Sequence, residues 1–209
     1  MATPHLGVRY YTFLDERGIH VPLSLKSTIA HVLQTSGKEL FGTDSMVLNE
    51  SLIYQLATEE GYMDPLRAFE KRRLYANVAL DFVVPLGTAA LMDDQVVSAV
   101  RKTHKGQYGI VDIISSAAEE DMKYKSQVPY MRHRNWHSAD EEQHMQQMRQ
   151  ALNSVGWEKV LVRFKGVAPN AHNKICALNK YGSVVDRLLG YHEGEFVMDH
   201  AADWFVHNK

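Results

Sequence analysis

Residues 71–90 read KRRLYANVALDFVVPLGTAA and set the architecture that we expect for the rest of the chain. A basic cluster runs into a mostly apolar segment, Leu74 to Leu80, which is long enough for a strand and too short for a helix. An unbroken apolar run is typical of a strand that is buried on both faces of a parallel sheet. Asp81 would follow the end of this strand, and ligands bind at the carboxyl ends of strands in open α/β sheets.

Helical and strand-like segments alternate along the chain, which indicates an α/β fold with a mainly parallel sheet flanked by helices. Lys159 to Phe164 is predicted to form a further strand. Helices are predicted where an apolar face lies next to a cap or a stop signal: residues 24–34, a helix capped by Asn49, a short helix opened by Pro65, residues 89–101, a helix opened by Ser138 with Glu141, and residues 194–206. Residues 103–137 have little periodicity, so we expect a surface excursion at about residues 100–137.

The composition is that of an ordinary globular protein and excludes several classes of protein. The 209 residues are enough for one domain over residues 1–209. A net charge of -2 gives no electrostatic argument for nucleic acid as a partner. The single cysteine, Cys176, fits a reducing compartment, and no apolar run is long enough to span a membrane. We therefore expect a cytoplasmic location.

Asp81 and His172 are the candidate catalytic residues, because each follows a predicted strand. A carboxylate that accepts the Nδ1–H of an imidazole fixes the tautomer of the ring and stabilises the imidazolium that forms during catalysis. In α/β-hydrolases the acid precedes the histidine along the chain, as it does here. By spacing alone a structural role is the simpler interpretation, since an aspartate after a strand is usually a turn or cap residue and His172 is one of 11 histidines.

Three stretches together resemble the serine esterases of the DUF676 family, which are lipase-like α/β-hydrolases. FEKRRLYAN at 69–77, followed by DFVVPLGTA at 81–89, resembles the acid-bearing segment of that family. ATPHLG at 2–7 resembles the loop after the strand that follows the nucleophile elbow. GWEKV at 156–160 and AHNKI at 171–175 resemble the last strand and the histidine loop, and residues 199–205 resemble the closing helix.

The resemblance implies that the chain is the C-terminal half of an α/β-hydrolase, with Asp81 as the triad acid and His172 as the triad base. It implies hydrolysis of a lipid or other acyl ester through an acyl-enzyme, with no cofactor and no metal. The chain departs from the family in one respect: no serine lies in a G-x-S-x-G elbow. We therefore expect the 209-residue chain to be inactive alone, either because the elbow precedes residue 1 or because the chain is a non-catalytic binding or scaffold protein built on a hydrolase remnant.

Other patterns suggest sites less strongly. His133 with His137, and His200 with His207, have spacings that a metal site could use, but no third ligand is evident, so surface histidines are the better interpretation. Basic residues 71–73 could contact phosphate, although a solvated strand edge is more usual. The basic and aromatic residues at 123–125 and 130–136 could make peripheral contact with a membrane, although an exposed loop is the simpler interpretation.

Overall fold

The computed structural model describes residues 2–9, 14, 21–22, 24–26, 28, 34–125, 139–168, 170–178 and 183–207. Its elements follow in chain order: α1 (Gln34–Leu40), a first 3-10 helix (Leu48–Glu50), α2 (Leu52–Thr58), α3 (Glu60–Ala68), β1 (Arg73–Asn77), α4 (Leu86–Ala89), α5 (Asp94–Thr103), β2 (Gly109–Ile114), α6 (Ala117–Tyr124), α7 (Ala139–Ser154), β3 (Glu158–Arg163), α8 (Ala171–Ile175), α9 (Ser183–Leu188), a second 3-10 helix (Tyr191–Gly194) and α10 (Glu195–His207).

The described strands form a three-stranded sheet in the order β1-β3-β2. β1 and β3 are parallel, with Arg73 opposite Glu158 and Asn77 opposite Val162. β2 is antiparallel to β3, with a register shift between Ile110 and Asp112. The strands predicted near residues 74–80 and 159–164 are therefore confirmed. The expectation of a mainly parallel sheet is not confirmed, because the described sheet is mixed and is flanked by helices.

β2 and α6 lie within residues 109–124, in the segment of little periodicity that we expected to form a surface excursion. The β-branched run GIVDII is a strand signal that is interrupted by Asp112. Asp112 is accommodated because Lys123 of α6 donates a hydrogen bond to it over 2.9 Å. Only Ile114 of β2 is fully buried, as suits a strand at the edge of the described sheet. Residues 126–138 of the predicted excursion lie outside the described residues.

Most predicted helices are present, but their starts differ. α2 follows Ser51, whose Oγ accepts the N–H of Tyr54, so Ser51 and not Asn49 is the cap. α3 begins before Pro65, which lies inside the helix. The closing helix is observed as α10, and the helix predicted from Ser138 as α7, although Ser138 itself is outside the described residues. Most of the helix predicted over residues 24–34 also lies outside them.

Apolar side chains cover β1 on both faces, as its unbroken apolar sequence predicts. Leu74 belongs to a cluster that includes Met145 and Met148 of α7. Tyr75 belongs to the cluster that includes Val96 and further side chains of α5. All residues of β1 after Arg73 are buried. The end of β1 is therefore held in a packed environment, which restricts the position of the side chains that follow it.

A buried ion pair fixes α6 to the start of β3. Lys159 Nζ lies 2.6 Å from Glu120 Oε2, and only 4% and 9% of the two side chains are exposed. Burial raises the pKa of Glu120 and lowers the pKa of Lys159, because each charge has lost water. The mutual attraction of the two charges offsets this desolvation only while both are present. The pair therefore gives α6 a defined place against the sheet.

Candidate functional site

Asp81 is placed by a sharp change of direction after β1. Leu80 has a φ of 64°, a left-handed conformation that is strained for a residue with a branched side chain. Asp81 is 3% exposed, and its Oδ1 accepts the backbone N–H groups of Val83 at 3.0 Å and Val84 at 2.7 Å. The carboxylate thus closes the turn that leads toward α4. One of its oxygen atoms is occupied by the backbone, which leaves Oδ2 for side chains.

Two backbone contacts bring His172 to this carboxylate. Asp81 and Asn170 form an isolated antiparallel bridge, and the N–H of Ala171 donates to the carbonyl of Leu80 over 3.0 Å. The short helix α8 begins at this point, so His172 lies beside Asp81 although 91 positions separate them in sequence. The chain order of Asp81 and His172 predicts this pair, and the structure brings the two side chains together.

The imidazole of His172 faces the second oxygen of Asp81. His172 Nδ1 lies 3.3 Å from Asp81 Oδ2, and the side chains are 32% and 2% exposed. A carboxylate without a proton can only accept hydrogen bonds, so Nδ1 must carry the proton of this contact. In the neutral ring the remaining nitrogen, Nε2, is then an acceptor. A buried carboxylate behind a partly exposed imidazole is an arrangement that can move a proton at Nε2.

Asn77 is a member of this cluster that the sequence analysis missed. Its Nδ2 donates to Asp81 Oδ2 over 2.7 Å, and Asn77 is only 1% exposed. The signal in the sequence is an amide at the end of an otherwise apolar strand, four positions before the aspartate. The contact between Asn77 and Asp81 cannot be predicted from that signal, because it depends on the turn at Leu80, which folds Asp81 back toward the end of β1. The cluster therefore consists of Asn77, Asp81 and His172.

None of the serine side chains that the structure describes makes a hydrogen bond to Asp81 or His172. Ser51 is fully buried, and its Oγ donates to the carbonyl of Leu48 over 2.6 Å, so it serves α2. Cys176 of the turn after α8 is exposed, and its Sγ lies 3.7 Å from the carbonyl oxygen of His172. Within the described ranges, the cluster has an acid and a base but no nucleophile bonded to the base.

The other predicted sites have structural explanations where they are described. His200 Nδ1 lies 2.9 Å from the hydroxyl of Tyr75, and burial and then the charge of Arg73 lower the pKa of His200. His207 Nδ1 lies 2.7 Å from the carbonyl oxygen of Asp203. The two histidines therefore have separate partners, and His133 and His137 lie outside the described residues.

The basic cluster at residues 71–73 is largely engaged within the protein. Arg72 donates from Nε to the carbonyl of Gly156 over 3.0 Å. Arg73 pairs with Glu158, with Nη2 2.5 Å from Oε2, and its guanidinium lies 4.7 Å from the centre of the Trp204 ring. These contacts connect β1 to the start of β3 and to α10. They give the two arginines a structural role and leave the phosphate interpretation without support.

A second polar cluster, which the sequence analysis did not predict, lies between α5, β2 and α6. His104 Nε2 is 2.8 Å from the hydroxyl of Tyr124, and that hydroxyl donates to Asp112 Oδ2. Burial and then the bond to Asp112 raise the pKa of Tyr124. Burial acts to raise the pKa of Asp112, but the bonds from Tyr124 and Lys123 outweigh it and lower that pKa. The cluster connects three elements through buried polar groups.

The fold and the cluster define a mixed α/β protein with a carboxylate–imidazole pair at the end of a buried strand. Residues 1–94 match the family model described as Putative serine esterase (DUF676), a range that contains Asp81 but not His172. No curated protein and no solved structure matches the chain. Among the residues described, no helix is both long and apolar enough to cross a bilayer.

Proposed function

We propose that Asp81 and His172 are the acid and the base of a lipase-like serine ester hydrolase. The observation that carries the proposal is the 3.3 Å contact between a buried carboxylate and a partly exposed imidazole. The acid lies in the segment that matches the esterase family model, and the histidine follows it along the chain. The family match supports an esterase at the level of the family, and the contact supports the roles that we propose for the two residues.

In the proposed reaction a serine hydroxyl attacks the carbonyl carbon of the ester while His172 Nε2 takes the hydroxyl proton. Asp81 Oδ2 accepts the Nδ1–H and stabilises the imidazolium. The imidazolium returns the proton to the departing alkoxide as the ester C–O bond breaks, which leaves an acyl-enzyme. Water then attacks the acyl carbon, His172 takes one proton of that water and passes it to the serine oxygen, and the acid product leaves.

The nucleophile of the proposed reaction lies outside the 209 residues, in a G-x-S-x-G elbow that precedes the ATPHLG segment. In this proposal the chain is the C-terminal part of an α/β-hydrolase, and the parallel pair of β1 and β3 is one side of a larger sheet. Support comes from the resemblance of residues 2–7 to the loop beyond the elbow. It comes also from the N–H of Ala2, which donates to the carbonyl of Tyr75 on β1 over 2.7 Å.

The proposed substrate is a lipid or another acyl ester with an apolar acyl chain. Phe82 and Val83, next to Asp81, are 60% and 54% exposed, and Leu188 of α9 is 83% exposed. α9 is close to the pair, because Asn170 Nδ2 donates to the carbonyl of Leu189 over 2.9 Å. Exposed apolar side chains beside a catalytic pair suit an apolar substrate or peripheral contact with a membrane surface. The single cysteine supports a cytoplasmic location.

The second candidate is a non-catalytic binding or scaffold protein that keeps a remnant of the hydrolase fold. It is favoured by one observation, namely that no described serine is bonded to His172. The two candidates differ in whether a nucleophile ever joins the pair.

A fluorophosphonate probe, which reacts with activated serines, distinguishes the two candidates. The 209-residue chain should not be labelled and should not hydrolyse a short-chain nitrophenyl ester. A protein extended through the coding sequence upstream of Met1 should be labelled, and His172→Ala should abolish the labelling. Ester hydrolysis by the 209-residue chain that depends on His172 would contradict the proposed position of the nucleophile. An extended protein without a reactive serine would favour the scaffold.

A further inference from the structure

Only the nitrogen of the buried Asn77 amide has a hydrogen-bond partner among the described residues. Its Nδ2 donates to Asp81 Oδ2 over 2.7 Å, whereas its Oδ1 is buried without a hydrogen-bond partner among the described residues. Most buried polar atoms in proteins are paired, because an unpaired one loses its bond to water without replacement. A leucine has nearly the same shape and would leave no unpaired oxygen. The hydrogen bond from Nδ2 to Asp81 is therefore the physical reason for an amide at this position.

The orientation of the Asn77 amide follows from the carboxylate that it faces. If the amide were turned over, Oδ1 would face Asp81 Oδ2, and two acceptors would lie against each other. The donor side therefore faces Asp81, and the acceptor side faces the packed interior. This assignment rests on the contact itself, since the carboxylate offers only acceptors while it is ionised.

Three of the four hydrogen bonds to the Asp81 carboxylate come from the end of β1 and the turn that follows it: two from backbone N–H groups and one from the Asn77 side chain. The N–H groups of Val83 and Val84 hold Oδ1, and Asn77 holds Oδ2. The fourth contact, from His172 Nδ1, is the longest at 3.3 Å. A long contact directs a carboxylate weakly. Of the described groups bonded to Oδ2, Asn77 is thus the one that can keep this oxygen in front of the imidazole without the help of His172.

We infer that Asn77 is a positioning residue that holds Asp81 Oδ2 toward His172 and so fixes the imidazole as the Nδ1–H tautomer. The inference rests on the proposed function, because the tautomer matters only if His172 Nε2 accepts a proton. Asn77 acts through Asp81 and needs no contact with the substrate. It lies at the end of β1, four positions before Asp81 in the sequence.

Long-range ¹H–¹⁵N correlation spectra of the histidine rings test the inference on the 209-residue chain. The spectra are recorded at about pH 9, where a neutral imidazole reveals its tautomer. Wild-type protein should give the Nδ1–H form of His172. In Asn77→Leu the ratio of Nδ1–H to Nε2–H should fall about fivefold, which is the factor that corresponds to one lost hydrogen bond. Asn77→Ala removes the same donor without the leucine methyl groups and should give the same change.

Asn153→Leu is the matched control, because the Asn153 amide of α7 donates to the carbonyl of Leu91 over 3.0 Å and contacts neither Asp81 nor His172. Its spectrum should show the wild-type tautomer. A wild-type tautomer in folded Asn77→Leu or Asn77→Ala would overturn the inference. Failure of both variants to fold would overturn it as well, because it would make Asn77 a structural residue. Asp81→Asn separates the two claims: if that variant keeps the wild-type tautomer, the pair itself and the proposed function fail.

Discussion

At the end of β1, individual residues orient the buried carboxylate of Asp81 toward the imidazole of His172. Leu80 adopts a left-handed conformation, which costs about 1–3 kcal/mol in a non-glycine residue. The turn that results allows Asp81 to accept bonds from its own turn and from Asn77. At this turn the strain falls on Leu80, and the turn leaves the second oxygen of Asp81 in contact with His172.

His5 is the residue for which the structure gives the clearest dependence on pH. Burial, and then the positive charge of the chain terminus, lower the pKa of His5 from 6.5 to about 4. The folded state therefore resists protonation, so the stability contributed by neutral His5 is complete above pH 6.5 and is lost as the pH falls toward 4. We predict a loss of up to about 3 kcal/mol over this range. In urea denaturation, the free energy of unfolding of His5→Phe should fall less than that of the wild-type protein between pH 6.5 and pH 4.

The imidazole of His5 packs against Trp157, with ring centres 5.9 Å apart, so phenylalanine can keep the ring contact without the titrating group. His207→Phe, at an exposed position near the end of α10, is the matched control and should follow the wild-type curve. Identical pH dependence in His5→Phe and wild-type protein would show that another group causes the acid sensitivity.

The contact between Asp81 and His172 could be expected from the sequence, whereas the contact of Asn77 with Asp81 could not. The chain order of Asp81 and His172 and the resemblance of the surrounding segments were enough to choose one aspartate and one of 11 histidines. The contact of Asn77 depends on the left-handed turn at Leu80, and no glycine or asparagine marks that turn in the sequence. A backbone conformation that the local sequence disfavours is set by the packing around it, so it cannot be inferred from the local sequence.

At the scale of elements, the second 3-10 helix fixes α8, which carries His172. A Cβ atom on Gly194 would lie 1.5 Å from the carbonyl oxygen of Lys174. The backbones of the two elements are therefore in direct contact at Gly194. Lys174 also pairs with Glu193, with Nζ 3.0 Å from Oε2. The position of the imidazole therefore depends on a close approach of backbone that only glycine permits.

We predict that Gly194→Ala lowers the free energy of unfolding by about 3 kcal/mol or more, because neither backbone can move aside without breaking its own contacts. Gly61→Ala is the matched control: Gly61 lies inside α3 with open space around it, so alanine should stabilise the protein by about 0.5–1 kcal/mol. Denaturant unfolding measures both changes. Equal stability in the two variants would mean that the 3-10 helix does not pack on α8 in solution.

Element prediction succeeded where a pattern was long or strongly apolar and failed at short polar interruptions. β1, β3, α7 and α10 follow from apolar runs or apolar faces. β2 did not, because Asp112 interrupts the run, and its partners Lys123 and Tyr124 on α6 could be known only from the fold. The antiparallel direction of β2 likewise depends on the path of the chain between the strands, and no residue of β2 encodes that path.

At the scale of the whole molecule, the candidate site joins two parts of the chain that differ in their relation to known proteins. Asp81 lies within residues 1–94, which match the esterase family model, and His172 lies beyond that range. The bridge between Asp81 and Asn170 and the parallel pairing of β1 with β3 hold the two parts together. The structure therefore places His172 beside an aspartate that lies within the range of the family match.

The most direct test of the account is the rate of ester hydrolysis by Asp81→Asn in a protein that includes the G-x-S-x-G elbow. The amide can present a donor to Nδ1, which favours the wrong imidazole tautomer. We therefore predict that kcat falls by about three to four orders of magnitude while KM changes little. A kcat in Asp81→Asn equal to that of the wild-type protein would contradict the claim that Asp81 and His172 act as a catalytic pair.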